Sequence, residues 1–141
     1  MWHVILHAAP RELVAGPVWA SSDGPTPTLR IAPGDLQQPL PITFEAAISA
    51  LEQLPQMFCE PDGWFDWTSP AQQPRWQIAG QLHDRGPALG HVEAKFDGAV
   101  TSQQLDQLLA ALGWPAQELV FQIVRESIFL DEPSFRRLLR L

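Results

Sequence analysis

The chain has 141 residues, of which 45% are hydrophobic and 18% charged, the balance of a globular protein and not a disordered one, which fits one domain, residues 1–141, with a real core. The net charge of −7 leaves no basic footprint for nucleic acid beyond Arg136, Arg137 and Arg140, and the single cysteine, Cys59, excludes an internal disulfide and points to a reducing compartment, the cytoplasm. No apolar run approaches the roughly 18 residues of a membrane helix, and a start without basic residues, interrupted by Arg11 and Glu12, does not read as a signal peptide.

In chain order, Trp2 to Ala8 reads as a strand, because Val4, Leu6 and Ala8 alternate with His3, Ile5 and His7. Residues 10–41 hold seven prolines and a weak pattern. This stretch is expected to be largely irregular, with short strands near Leu13–Trp19 and Thr28–Ala32. Thr43 has the character of an N-cap; Phe44, Ala47, Ile48 and Leu51 follow at helical spacing, and Pro55 ends the run.

Residues 56–96 read as a four-stranded antiparallel meander. Glu60-Pro61-Asp62-Gly63 suits a type I turn followed by a left-handed glycine, which sets Glu60 opposite Trp64, Met57 opposite Trp67 and Cys59 opposite Phe65. Placing Thr68 against Arg75 then brings Trp67 to Trp76 and Phe65 to Ile78. A five-residue loop over Asp84–Ala88 sets Leu82 against Gly90 and Trp76 against Phe96. One face of the meander carries Met57, Cys59, Phe65, Trp67, Trp76, Ile78, Leu82, Val92, Ala94 and Phe96 and is read as core. The other carries Phe58, Glu60, Trp64, Asp66, Thr68, Gln77, Ala79, Gln81, His83, Leu89, His91, Glu93 and Lys95.

Thr101 and Gln104 form a capping box ahead of the stripe Leu105, Leu108, Leu109 and Leu112, and Gly113 supplies the left-handed C-terminal residue. Leu119 to Arg125 is rich in β-branched and aromatic residues and reads as a strand, with a helix led by Pro115 as the alternative over residues 116–126. Ile128–Leu130 reads as a short return strand, and Asp131 caps a last helix carrying Phe135, Leu138 and Leu139. The whole is α+β: a mainly antiparallel sheet, made of the meander plus N-terminal and C-terminal strands, with two to three helices on one face.

No catalytic signature stands out, so the reading leans away from an enzyme. The chain lacks a nucleophile elbow, a dinucleotide fingerprint and a phosphate loop. Cys59 lies on the apolar face and reads as a small core residue. The polar face offers a surface instead. Trp64, flanked by Glu60 and Asp66 and neighboured by Gln77, Gln81, His83 and His91, is the composition with which a binding or protein-interaction domain holds a ligand or partner. Burial of Trp64 beneath residues 10–41 or a second layer is the competing expectation. In the expected register His83 and His91 are diagonal neighbours and Glu93 points the same way, so a divalent metal held by His83, His91 and Glu93, serving a small hydrolase-like enzyme, is the alternative. Packing of this face on its own copy, as a homo-oligomer, is a third. Between Arg30 and Arg75 there is no Lys or Arg, while Asp35, Glu45, Glu52, Glu60, Asp62 and Asp66 all fall there. That imbalance serves solubility or the docking of a basic partner or cation.

Overall fold

Hydrophobic alternation organises the computed structural model, which describes residues 1–141, around one large sheet. Its strands are β1 (Trp2–Ala8), β4 (Met57–Cys59), β5 (Trp64–Thr68), β6 (Trp76–Arg85), β7 (Ala88–Gly98), β8 (Leu119–Ile123) and β9 (Ile128–Leu130), while β2 (Trp19–Ser21) and β3 (Gly24–Thr26) form a separate hairpin. The order β4-β5-β6-β7-β1-β8-β9 has every neighbouring pair antiparallel. With helices α1 (Phe44–Glu52), α2 (Ser102–Ala111) and α3 (Glu132–Leu138), the fold is α+β. No helix is long and apolar enough to cross a membrane. The stretch 116–126, for which sequence left two readings, contains strand β8, paired with β1 along its whole length.

All three helices bury their stripes in the same core. Ala47 and Leu51 of α1, Leu105, Leu108 and Leu109 of α2, and Phe135 and Leu138 of α3 join Val4, Leu6, Phe65, Trp67, Ile78, Val92, Phe96 and Phe121 of the sheet. Thr43 Oγ1 accepts the Ala46 N–H at 3.0 Å, Gln104 Oε1 accepts the Thr101 N–H at 2.7 Å, and Asp131 Oδ1 accepts the Ser134 N–H at 2.9 Å, so each helix begins where its cap residue dictates. Phe135 stacks on Phe121 at 4.5 Å and meets Phe96 edge-on at 5.5 Å. The Trp67 indole N–H donates to the Pro55 carbonyl at 2.9 Å, which satisfies the one polar atom of a buried tryptophan. Met57 and Cys59, expected in the core, are only half-buried on the short edge strand β4.

The turn at Glu60–Gly63 folds as its residues require, with Gly63 at φ 99 and the Glu60 N–H bonded to the Trp64 carbonyl at 2.8 Å. The β4–β5 register is the expected one. The next two registers are not. Trp67 faces Ile78 and Phe65 faces Gly80, and on the far side of β6 Leu82 faces Val92 and Ile78 faces Phe96. Strand β6 is therefore slid by two residues against both neighbours. A slip of two preserves which side each residue faces, so the core is unchanged. The cause is turn chemistry: the tight pair Gly86-Pro87, with Gly86 at φ 60, shifts the β6–β7 pairing by one residue and the bulge described next adds the second, while the Ser69–Arg75 connection sets the β5–β6 slip.

That hairpin carries a bulge. His83 pairs with His91 but Asp84 pairs with Leu89, leaving Gly90 as the extra residue. The bulge turns Leu89, which simple alternation assigns to the polar face, into the core, where it is fully buried. Its N–H donates to the Ile42 carbonyl and its carbonyl accepts from Leu40, so residues 40–42 extend the sheet beside β7.

Much of the proline-rich segment is a sheet-edge cover. Ala15 bridges Leu29, Leu29 bridges Phe129 of β9, and the β2–β3 hairpin closes the tip. The expected strands near 13–19 and 28–32 are thus single bridges, with the hairpin strands displaced toward the tip, where Gly24 at φ 107 makes the reversal.

Candidate binding face

With the helices on one side, the opposite side of the sheet presents rows of side chains running across the strands. One row is Glu60, Trp64 of β5, Gln81 of β6, Glu93 of β7 and Ile5 of β1. The sequence expected Ala79 where Gln81 stands. Because the two slips of β6 cancel, Trp64 and Glu93 keep their mutual register. The next row is Asp66, Ala79, Lys95 and His3.

Between these rows lies an open depression of about 420 Å³ lined by Trp64, Ala79, Gly80, Gln81, His83, Glu93 and Lys95. Gly80 gives its floor bare backbone; a Cβ there would lie 1.9 Å from the Glu93 carbonyl oxygen, so no other residue fits. Trp64 is 37% exposed and Phe58, on β4 beside it, is 57% exposed. Their rings meet edge to face at 6.1 Å. Residues 10–41 do not line the depression with Trp64: Leu29 sits at the β9 edge, and Gln37 and Leu40 lie beside the β6–β7 hairpin.

The polar groups around the depression differ in how free they are. Gln81 Nε2 donates to the carbonyls of Asp62 at 2.8 Å and Leu82 at 3.1 Å, which fixes the amide and leaves Oε1 without an intramolecular partner. Glu93 lies 3.2 Å from His3 Nε2. Lys95 is the only lysine of the chain. It is exposed and takes part in none of the four ion pairs, which involve His3, Arg136 and Arg140. Asp66 and Gln77 are tied to each other, the Gln77 Nε2 donating to Asp66 Oδ1 at 2.8 Å, and flank the depression without lining it. Glu60 is exposed at the β4–β5 turn, outside the lining.

His83 and His91 are directly opposite, not diagonal, and their rings stack at 4.5 Å with 14° between planes. His7 of β1 stacks on the far side of His91 at 5.7 Å, and Phe129 follows it at 6.1 Å. The Gln122 Oε1 accepts from His7 Nε2 at 3.0 Å. Parallel rings aim their nitrogens alongside one another, and Glu93 is turned toward His3. The trio His83, His91 and Glu93 therefore does not converge on a point, and no three His, Cys, Asp or Glu side chains are grouped to hold a metal ion. Burial lowers the His91 pKa, aided by the neighbouring imidazoles of His83 and His7 and opposed by Glu93. Burial likewise lowers that of His7, against the hydrogen bond to Gln122. Burial, with Glu52 nearby, raises the Cys59 thiol, which disfavours a nucleophilic thiolate.

Of the residues singled out from sequence, Trp64, Gln81, His83 and Glu93 meet in the depression, His91 adjoins it through His83, and Asp66, Gln77 and Glu60 ring it. Sequence reasoning placed Phe58 and Lys95 on the right face without marking them, and missed His7 as the third imidazole. Two signals were present: a lysine used once in the chain, and a glycine inside an otherwise regular strand.

Comparison of the chain with protein-family models, with curated proteins and with solved structures finds no match.

Proposed function

We propose that this chain is a small non-enzymatic binding or protein-interaction domain of the cytoplasm that works through the helix-free face of its sheet, with Trp64 as anchor. One observation carries the reading: an exposed Trp64–Phe58 pair stands at the margin of a polar depression, on the side away from all three helices. An exposed aromatic pair contributes little to folding, whereas a desolvated aromatic anchor dominates many interfaces.

The reading is tested by separating stability from binding. Trp64→Ala and Phe58→Ala should each cost clearly less in chemical denaturation than loss of a buried tryptophan, because both rings keep part of their surface in water. Trp67→Ala, which empties the core, should cost about 3–5 kcal/mol. A loss at Trp64 as large as that at Trp67 would make the indole structural and remove the anchor. A concentration-dependent dimer in light scattering that Trp64→Ala abolishes would identify the partner as a second copy.

A further inference from the structure

We propose that the ligand of this depression is a neutral saccharide, an oligosaccharide laid against Trp64 and Phe58 with its hydroxyl rim on Gln81, His83, Glu93 and Lys95. The inference rests on the binding reading above and names its ligand class.

The argument is one of elimination by charge and then of fit. An anionic ligand would find one free cation, Lys95, beside the Glu93 carboxylate and inside the field of a chain of net charge −7. A cationic ligand would meet Lys95 itself, exposed and unpaired among the lining residues. Either sign leaves a like charge facing the ligand. A purely apolar ligand would strip water from Lys95, Glu93 and Gln81 Oε1 and return no hydrogen bonds.

A sugar ring meets all of these demands. Each hydroxyl is one donor and an acceptor of two, so adjacent hydroxyls can accept from the Lys95 ammonium and donate to Glu93 and Gln81 Oε1. The C–H face of a pyranose is flat and apolar and matches an exposed indole. The amide that would read the hydroxyls is already held in place by Asp62 and Leu82, at 2.8 and 3.1 Å, so little side-chain freedom remains to be lost on binding. Phe58, 57% exposed and meeting Trp64 edge to face at 6.1 Å, lies beyond the depression and offers a second ring an apolar contact. The open shape admits a chain of rings rather than one enclosed unit.

The experiment uses the full chain, labelled and applied to a printed array of neutral and acidic glycans, with hits titrated by heteronuclear NMR. Hexa-arginine and hexaglutamate peptides are titrated in parallel as charged probes. The expected result is binding of neutral oligosaccharides that shifts the Trp64 indole, Gln81 and Lys95 signals. Affinity should be unchanged between about 50 and about 500 mM NaCl, because no net charge is paired. Trp64→Ala should weaken binding about tenfold or more, Trp64→Phe should recover most of it, and Lys95→Met and Glu93→Gln should each weaken it a few-fold. Circular dichroism of each variant establishes that it is folded. If a charged peptide moves those signals in a salt-sensitive way and no glycan does, the saccharide assignment is wrong and the binding reading stands. If neither glycans nor peptides move them, both fall.

Discussion

At the scale of single residues, His91 is held between two other imidazoles, His83 at 4.5 Å and His7 at 5.7 Å, with Glu93 the one carboxylate that favours its charged form. Both His91 and His7 have their pKa lowered by folding, so the unfolded chain binds protons that the folded chain resists. The sign follows. The contribution of these groups to stability is complete above the unfolded value near 6.5 and is lost as pH falls through the lower folded values. Thermal melts should be level above about pH 7 and decline progressively below about 6.5, before the carboxylates titrate. His91→Gln removes the central ring and should flatten that decline; profiles that stay parallel between the variant and the parent would assign the acid loss to other groups. Residue-level alternation was fully legible for such positions. Trp67 and Trp76 on one side and Trp64 on the other follow from spacing alone, and their burial, near-complete for the first two, bears this out.

At the scale of elements, the capped helices, the β1 strand and the Glu60–Gly63 hairpin could be read because their signals are local: an oxygen-bearing cap, a period, a glycine where φ must be positive. The position of β6 could not. A shift of two residues changes neither face, so alternation is silent about it, and the connections decide: the Gly86-Pro87 turn with the Gly90 bulge on one side, the Ser69–Arg75 loop on the other. The Gly90 bulge hid a second fact, the burial of Leu89, because one extra residue reverses the phase of what precedes it. Leu89→Ala should therefore cost about 2–5 kcal/mol in urea denaturation, the cost of a core leucine. A cost near zero would return Leu89 to the solvent side and undo the bulge. The site inherits this history. Gln81, not Ala79, stands between Trp64 and Glu93, and no count of apolar residues could have chosen between them.

At the scale of the whole molecule, the asymmetry between the two sheet edges has consequences. The β9 edge is occupied by Leu29, whose N–H bonds to the Phe129 carbonyl at 2.8 Å, while the β4 edge is only three residues long. Both devices limit strand addition from another chain. Replacing residues 13–30 with a short glycine-serine linker should leave the β9 backbone unpaired and produce concentration-dependent self-association in light scattering; a monomer at all concentrations would show that the hairpin guards nothing. The long proline-rich segment was read as irregular because its pairings are single bridges and a three-residue hairpin, too short for a period to show, and its tie to the main sheet, Leu29 to Phe129, is invisible to local signals. Finally, a chain that uses lysine once and stations it mid-sheet offers a chemical convenience. Once the α-amino group has been capped near neutral pH, where its lower pKa makes it the faster nucleophile, an amine-selective dye added at higher pH can attach at one point. That dye would report polarity and occupancy from the middle of the uncovered layer, with no engineered cysteine.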